Sequence, residues 1–350
     1  MSRRFLLTLV MLTALAAVAE AIILLQVRLD PARLLPHVRL DSLALGVLLE
    51  SLALLLAAFV GLTQSGVVRQ LRLWATASAA QALAVPFLLL VPYLLFALGT
   101  ATFSLVALGK LAAYIAAPTA LLLPDRLQHK AEHVGWRDFA AMLALAVPIP
   151  TQWLHDVWVV PASLDGFRQL FGIQDFYFFQ PLFCVCVGAY AFLAVRNLDG
   201  VGYRLFWRKA DAFDGAVNFV AFSLLGIPLG LALEFIHPHT LEASAGAVAG
   251  QFIGIYLTIA VPEEFLFRGV LQNFLARSIH RGPKGVYGLL ITSVVFGASH
   301  LHHAPVPNWR YAIMATLAGV FYGNAYRSRQ RLSASALTHA LVDTIWHFWF

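Results

Sequence analysis

Three charged residues stand close together in a long apolar stretch, "VPEEFLFRGV" at residues 261–270. Glu264 and Arg268 are four positions apart, so on a helix they share a face and can form an ion pair. Glu263 is rotated by about 100° from Glu264 and points elsewhere. A carboxylate without a local partner in apolar surroundings is suited to act as a general base.

Two further polar clusters follow in later apolar stretches. "FGASHLHH" places His300 near the end of one stretch, and "SALTHALVDTIWHFWF" places His339 and Asp343 four positions apart in the last one. Such groups can hold membrane helices together. We favour a functional interpretation because Glu263, His300, His339 and Asp343 occur together, and ionisable groups inside a membrane are functional by default.

The depth of each side chain indicates whether these clusters can meet. Counted from the inner ends of their stretches, Glu263 lies about 24 Å deep and His300 about 21 Å deep, so these two can meet. His339 lies only about 9 Å deep and Asp343 about 15 Å deep. We therefore expect the last helix to be tilted, or to begin deeper in the membrane.

The composition of the whole chain is that of a membrane protein. Of its 350 residues, 60% are hydrophobic and 12% are charged, whereas soluble domains carry about 25% charged residues. Apolar stretches near the spanning length predict an all-α, polytopic transmembrane helical bundle of about 10–11 spans. The spans are placed at residues 5–27, 42–62, 75–98, 101–123, 138–160, 177–195, 215–235, 250–279, 286–303, 311–327 and 333–350.

Basic residues are distributed unevenly between the predicted loops. With the N-terminus inside, 17 of the 24 Lys and Arg residues fall in inner loops and 5 in outer loops, while Lys110 and Arg268 lie inside helices. This bias predicts a multi-pass protein of the cell inner membrane with a cytoplasmic N-terminus. If there are eleven spans, the C-terminus lies outside. The same distribution in short loops argues against nucleic acid as a partner.

The most polar segment, residues 196–215, is the best candidate for a domain boundary. We predict an N-terminal transmembrane helical extension at residues 1–200 and a core that carries the chemistry at residues 201–350. Two smaller motifs are interpreted as incidental. Cys184 and Cys186 read as buried apolar residues, and "HKAEH" at residues 129–133 matches an inverted zincin pattern by chance in a charged loop.

Three motifs, in order along the chain, resemble those of the CPBP family, which includes the type II CAAX prenyl endopeptidases and the bacteriocin-processing (Abi) intramembrane proteases. The motifs are E-E-x-x-x-R, F-x-x-x-H and H-x-x-x-N/D. The resemblance covers residues 215–350. The matching residues are Glu263, Glu264 and Arg268, then Phe296 and His300, then His339 and Asp343.

The resemblance implies an intramembrane endopeptidase that acts on a peptide or protein in the lipid bilayer, near the C-terminus of a membrane-associated or prenylated substrate. By analogy, Glu263 and His300 activate a water, His339 and the residue at 343 stabilise the oxyanion, and Glu264 and Arg268 maintain the site. Asp343 stands where the family often has Asn. A carboxyl group can donate to an oxyanion only when it is protonated; otherwise it would orient His339 or bind a metal.

Two alternatives stay open at this point. No cofactor is required if Glu263 activates the water, but Glu263, His300 and His339 could instead form a zinc ligand set with one open position. The protein could also be a non-catalytic multi-pass membrane protein, either a scaffold or immunity protein on the same fold or a transporter. A transporter would use a proton relay, and Glu20, Glu50 and Lys110 would belong to it.

Overall fold

The computed structural model describes residues 42–128, 134–159, 161–164, 179–279 and 285–350. Most of these described residues are helical and none forms a β-strand, which confirms the predicted all-α fold. They form two compact units, one within residues 1–197 and one within residues 198–350 that also includes the segment 134–136. The predicted span at 5–27 and the motif at 129–133 lie outside the described residues.

The first unit is built from six described helices. They are α1 (Ser42–Gly61), α2 (Ser65–Ala77), α3 (Ala79–Gly99), α4 (Leu105–Leu122), α5 (Trp136–Ala146) and α6 (Phe179–Val195). Cys184 and Cys186 are buried and unpaired with each other in α6, as interpreted from the sequence. The buried guanidinium of Arg196 holds the carboxylate of Asp138, with Nε 2.6 Å from Oδ1.

The predicted span at 75–98 corresponds to α3, which begins four residues later, because α2 ends at Ala77 and the hydroxyl of Ser78 accepts a hydrogen bond from the Gln81 N–H to begin α3. Another predicted span in this unit is wrong. The span at 138–160 is helical only as far as Ala146 and continues as turns. Pro148 and Pro150 follow at once, and proline lacks the N–H that a continuing helix needs.

The second unit contains five described helices. They are α7 (Lys209–Ala232), α8 (Ala245–Ser278), α9 (Val286–Ala298), α10 (Trp309–Arg329) and α11 (Leu332–Trp349). Side chains fix where some of them begin. The carboxylate of Asp211 accepts from the Arg208 N–H at the start of α7, and Asn308 Oδ1 accepts from the Tyr311 N–H at the start of α10.

Helix α8 is unusually long, at 34 residues, and it is irregular near its centre. Wider π-helical segments occur at Tyr256–Ala260 and Phe265–Gln272, and Pro262 lies between them. Proline removes one backbone donor, and π segments inside α-helices often mark functional sites. The two adjacent glutamates, Glu263 and Glu264, lie in the short stretch between these segments.

Five of the described helices are long and apolar enough to cross a membrane: α1, α3, α4 (extended to Asp125), α7 and α8. Two shorter apolar helices, α6 and α9, add to them. Helices α10 and α11 have 21 and 18 residues but carry more polar groups. The protein is therefore an integral membrane protein.

Helices α9 and α10 pack very closely, and this contact positions the end of α9. A Cβ atom on Gly297 would lie 1.8 Å from Thr316 Oγ1 and 2.5 Å from the Ala312 carbonyl oxygen. Only glycine permits that approach. The neighbouring Phe296 is thereby buried in an apolar cluster, which also includes Phe222, Met314, Ala315, Ala318 and Tyr322.

Candidate active site

A cavity of about 630 Å³ lies within the second unit. Its walls are mainly apolar and aromatic, which is typical of sites that bind a substrate. Glu263 enters it from α8, His300 from the end of α9, and His339 and Asp343 from α11. The structure therefore brings to one cavity all four residues that the sequence singled out for chemistry.

Glu264 and Arg268 form a fully buried ion pair beside this cavity. Arg268 Nη1 lies 3.0 Å from Glu264 Oε1, and both side chains are 0% exposed. Arg268 also donates from Nη2 to the Gly319 carbonyl oxygen at 3.1 Å. Its guanidinium carbon lies 4.6 Å from the centre of the Phe296 ring. Removing either partner would leave an uncompensated charge in a buried site, which is strongly destabilising.

His339 is held in place from several directions. Its Nδ1 lies 2.9 Å from Glu264 Oε1, and the hydroxyl of Ser335 donates to the other oxygen of the same carboxylate. Tyr322 stacks on the imidazole, with ring centres 4.5 Å apart and planes inclined by 17°. A ring fixed in this way presents its second nitrogen in one direction, which catalysis requires.

The depth estimate for His339 is wrong, since the side chain reaches Glu264. Only two residues separate the end of α10 from Leu332, where α11 begins, and Leu332 and Ser333 are fully buried. The first turn of α11 thus lies inside the unit instead of at its surface. The tilt or deeper start that the sequence predicts for the last helix stays a prediction.

The Nε2 atom of His339 lies beside two carboxylates. Asp343 Oδ2 is 3.3 Å away and Glu263 Oε2 is 3.9 Å away. A carboxylate at this distance accepts a hydrogen bond from the ring, so the geometry favours the interpretation in which Asp343 orients His339. Nδ1 donates to Glu264, and a doubly protonated ring could also donate from Nε2.

Glu263 points away from Glu264, as the helical spacing predicts. Its side chain is 37% exposed, and it lines the cavity. Among the described residues, its Oε2 atom has no hydrogen-bond partner. The carboxylate is therefore not committed to holding the fold together and is available to a reacting group.

His300 lies at the end of α9, where its own helix orients it. Nδ1 lies 2.7 Å from the Phe296 carbonyl oxygen, so it donates there and leaves Nε2 as an acceptor. Tyr311 packs against the ring, with centres 4.6 Å apart. Within the described part of the chain no hydrogen bond or ion pair joins His300 to Glu263, although both line the cavity. His300 and Glu263, which we expected to meet, therefore share a cavity but are not in direct contact.

Two residues of the site were missed by the sequence analysis. Ser335 could have been found, because Ser335, His339 and Asp343 recur at intervals of four and lie on one face of α11. Tyr322 gave no signal, since a single tyrosine in a helix is usually interpreted as an ordinary core residue. Its stacking on His339 depends on how α10 and α11 pack.

The side chains suggested as zinc ligands do not form a ligand set in this arrangement. Among the described residues, no three His, Cys, Asp or Glu side chains are placed so as to hold a metal ion. His339 engages Glu264 with Nδ1 and faces Asp343 with Nε2. Glu263, His300 and His339 therefore share the cavity without being grouped, among the described residues, as a metal-binding set.

Comparison with known families identifies this region. Residues 245–345 match a family model described as Type II CAAX prenyl endopeptidase Rce1-like. The chain carries an Rce1-like domain. That domain runs from the start of α8 into α11 and contains all six predicted site residues, which agrees with the resemblance in the motifs. No curated protein and no solved structure matches the chain. At the level of the family, the Rce1-like domain supports a protease.

Proposed function

We propose that the protein is an intramembrane endopeptidase that hydrolyses a peptide bond near the C-terminus of a membrane-associated substrate. One observation carries this proposal. An uncommitted carboxylate and two fixed imidazoles line a single, mainly apolar cavity inside the Rce1-like domain. Peptide hydrolysis needs a base for water and a donor for the oxyanion, and this set contains both.

In the proposed reaction, Glu263 takes a proton from a water molecule while Nε2 of His300 helps to orient that water. The resulting hydroxide attacks the peptide carbonyl carbon, and the carbonyl oxygen becomes an oxyanion. His339 stabilises the oxyanion through the N–H of Nε2. Glu263 then passes its proton to the amide nitrogen, the C–N bond breaks, and a carboxylic acid and an amine leave.

The surroundings of His339 support its proposed role as donor. Glu264 fixes Nδ1, Tyr322 fixes the plane of the ring, and Asp343 lies 3.3 Å from Nε2, the nitrogen that is left to face the cavity. A preorganised donor stabilises developing charge without rearrangement, and losing one such donor typically lowers a rate about 10²–10³-fold. Ser335 and Arg268 act through Glu264 and are positioning residues.

Purified protein and a panel of fluorogenic C-terminal peptides, prenylated and unprenylated, provide the test. Wild type should cleave at least one peptide, and Glu263→Gln should not. Glu50→Gln is the matched control, because Glu50 is an exposed glutamate of α1 that does not line the cavity. Cleavage that persists in Glu263→Gln would overturn the assignment of the base.

The same assay, run with a chelator, tests the metal alternative. Our proposal requires no cofactor, so the rate should be unchanged after treatment with chelator. Loss of cleavage with chelator and recovery with zinc would instead establish a metalloprotease.

The transporter alternative rests on Glu20, Glu50 and Lys110. Lys110 is paired with Asp156 in the first unit, with Nζ 3.1 Å from Oδ2, and Glu50 is exposed. Neither residue lines the cavity of the second unit, whereas Glu20 lies outside the described residues. A transporter that used Lys110 and Glu50 in a proton relay would lose function when they are replaced, and an endopeptidase would not.

A further inference from the structure

The two ends of the second unit differ sharply in charge. One end comprises the start of α7, the end of α8 and the link from α10 to α11. The other comprises the end of α7, the start of α8, the end of α9 and the start of α10. Seven described basic residues lie at the first end, namely Arg204, Arg208, Lys209, Arg277, Arg327, Arg329 and Arg331. At the second end the described basic residue is Arg310, which faces Glu234 at 3.4 Å.

Contacts between helices show that the first end is a single surface. Arg331, before α11, lies 2.8 Å from Asp211 in the first turn of α7. Arg329, at the end of α10, lies 2.8 Å from Asp214 of the same helix α7. The basic residues therefore come from different parts of the sequence but gather on one face, which we call the basic end.

The cavity lies towards the opposite end. Its lining comes from the later part of α7, from α8 as far as Glu263 near the centre of that helix, from the end of α9, from α10 between Tyr311 and Tyr322, and from α11 beginning at His339. Four of its lining residues are exposed and form its rim, namely Gln251 and Ile259 on α8, His303 after α9, and His347 near the end of α11. The cavity thus reaches the surface on the side away from the basic end.

Between the cavity and the basic end lies a layer of buried polar side chains. Glu264 and Arg268 are 0% exposed, as is Ser335, and Gln272 is 3% exposed. Gln272 donates from Nε2 to the Gly323 carbonyl oxygen at 3.1 Å, which ties α8 to α10. This layer, which we call the floor, closes the cavity towards the basic end.

Short loops rich in Lys and Arg stay on the cytoplasmic side of a membrane. We infer that the cavity opens on the non-cytoplasmic side, and that the substrate is a peptide segment of a membrane-associated protein presented from that side. The part of this inference that concerns the substrate rests on the proposed endopeptidase function. The inference excludes a prenylated C-terminus that approaches from the cytoplasmic face as the substrate, because the floor separates that face from Glu263.

Cysteine labelling in intact bacterial cells tests the orientation independently of activity. Val306, in the loop before α10, and Phe206, before α7, are a matched pair because each is 70% exposed. Neither substitution changes a basic residue. The unsubstituted protein, whose native cysteines are buried, gives the background level of labelling. A membrane-impermeant maleimide should label Val306→Cys in intact cells, and should label Phe206→Cys only after lysis. The reverse pattern would overturn the inference.

Sealed vesicles of defined orientation then test the side from which substrate enters. A fluorogenic peptide that cannot cross the bilayer should be cleaved by right-side-out vesicles and not by inside-out ones, with both active after detergent is added. Cleavage confined to inside-out vesicles, of a prenylated or an unprenylated peptide, would overturn the inference while the endopeptidase function stands. Absence of cleavage in detergent would contradict the proposed function instead, and the labelling would still decide on which side the cavity opens.

Discussion

The buried pair of Glu264 and Arg268 allows a quantitative prediction. In Arg268→Met the carboxylate of Glu264 remains buried without its cation, and in Glu264→Gln the guanidinium remains without its anion. Each single change should lower the free energy of unfolding by about 3–5 kcal/mol. The double change leaves no unpaired charge, so its effect should be clearly smaller than the sum of the two single effects.

The surroundings of the pair determine the size of each effect. Both side chains are 0% exposed, so solvent does not screen the charge that is left behind. Arg268 also loses its position 4.6 Å from the Phe296 ring, a contact worth about 2 kcal/mol when desolvated. Gln at 264 keeps one acceptor oxygen for Nδ1 of His339, and its NH2 group can donate to the hydroxyl of Ser335, so Glu264→Gln should fall at the lower limit of the range.

Unfolding in mixed micelles with increasing SDS gives the four free energies of the cycle. We expect a coupling energy of at least about 1 kcal/mol, the lower part of the range for residues that share one ion-pair network. Single effects that simply add would refute the reasoning, because the two side chains would then not depend on each other. Single effects below about 1 kcal/mol would refute the claim that the site is desolvated.

Three further predictions concern the site and its framework. Glu263→Gln should lower the rate of peptide cleavage about 10²–10⁴-fold and leave the unfolding midpoint unchanged, because Oε2 has no hydrogen bond within the described residues to lose. Asp343→Asn should keep the cleavage rate within about tenfold of wild type, since the amide oxygen of Asn can still accept from Nε2 of His339. Asp343→Leu should lower the cleavage rate by more than about tenfold. Gly297→Ala should lower the free energy of unfolding by about 1–3 kcal/mol, because α9 and α10 would have to move apart, and an unchanged unfolding curve would contradict the packing described here.

Much of the site was predictable because its residues follow simple helical spacing. Glu264 and Arg268 are four positions apart and do pair, and Glu263, one position earlier, does face another way. His339 and Asp343 likewise lie one turn apart on α11, with 3.3 Å between Nε2 and Oδ2. Spacing within one helix is a local property that the sequence contains directly.

The errors arose where tertiary packing decides. The depth of His339 was estimated along its own helix alone, whereas its contact with Glu264 depends on how α8 and α11 pack against each other. Hydropathy likewise extended a predicted span through Pro148, although a missing N–H ends the helix there. Tyr322 could not be found at all, since its stacking on His339 depends on how two helices pack.

The position of the floor explains why three charges stand within six residues of an apolar helix. Glu263 faces the cavity, where the proposed reaction needs it to meet a water, so it does not also pair with Arg268. Glu264 does pair with Arg268, and the same carboxylate fixes Nδ1 of His339. The pair therefore orients the proposed oxyanion donor and closes the cavity towards the basic end. Because one buried layer does both, a variant that opens the floor should also release His339, and loss of sidedness in vesicles should accompany loss of catalytic rate.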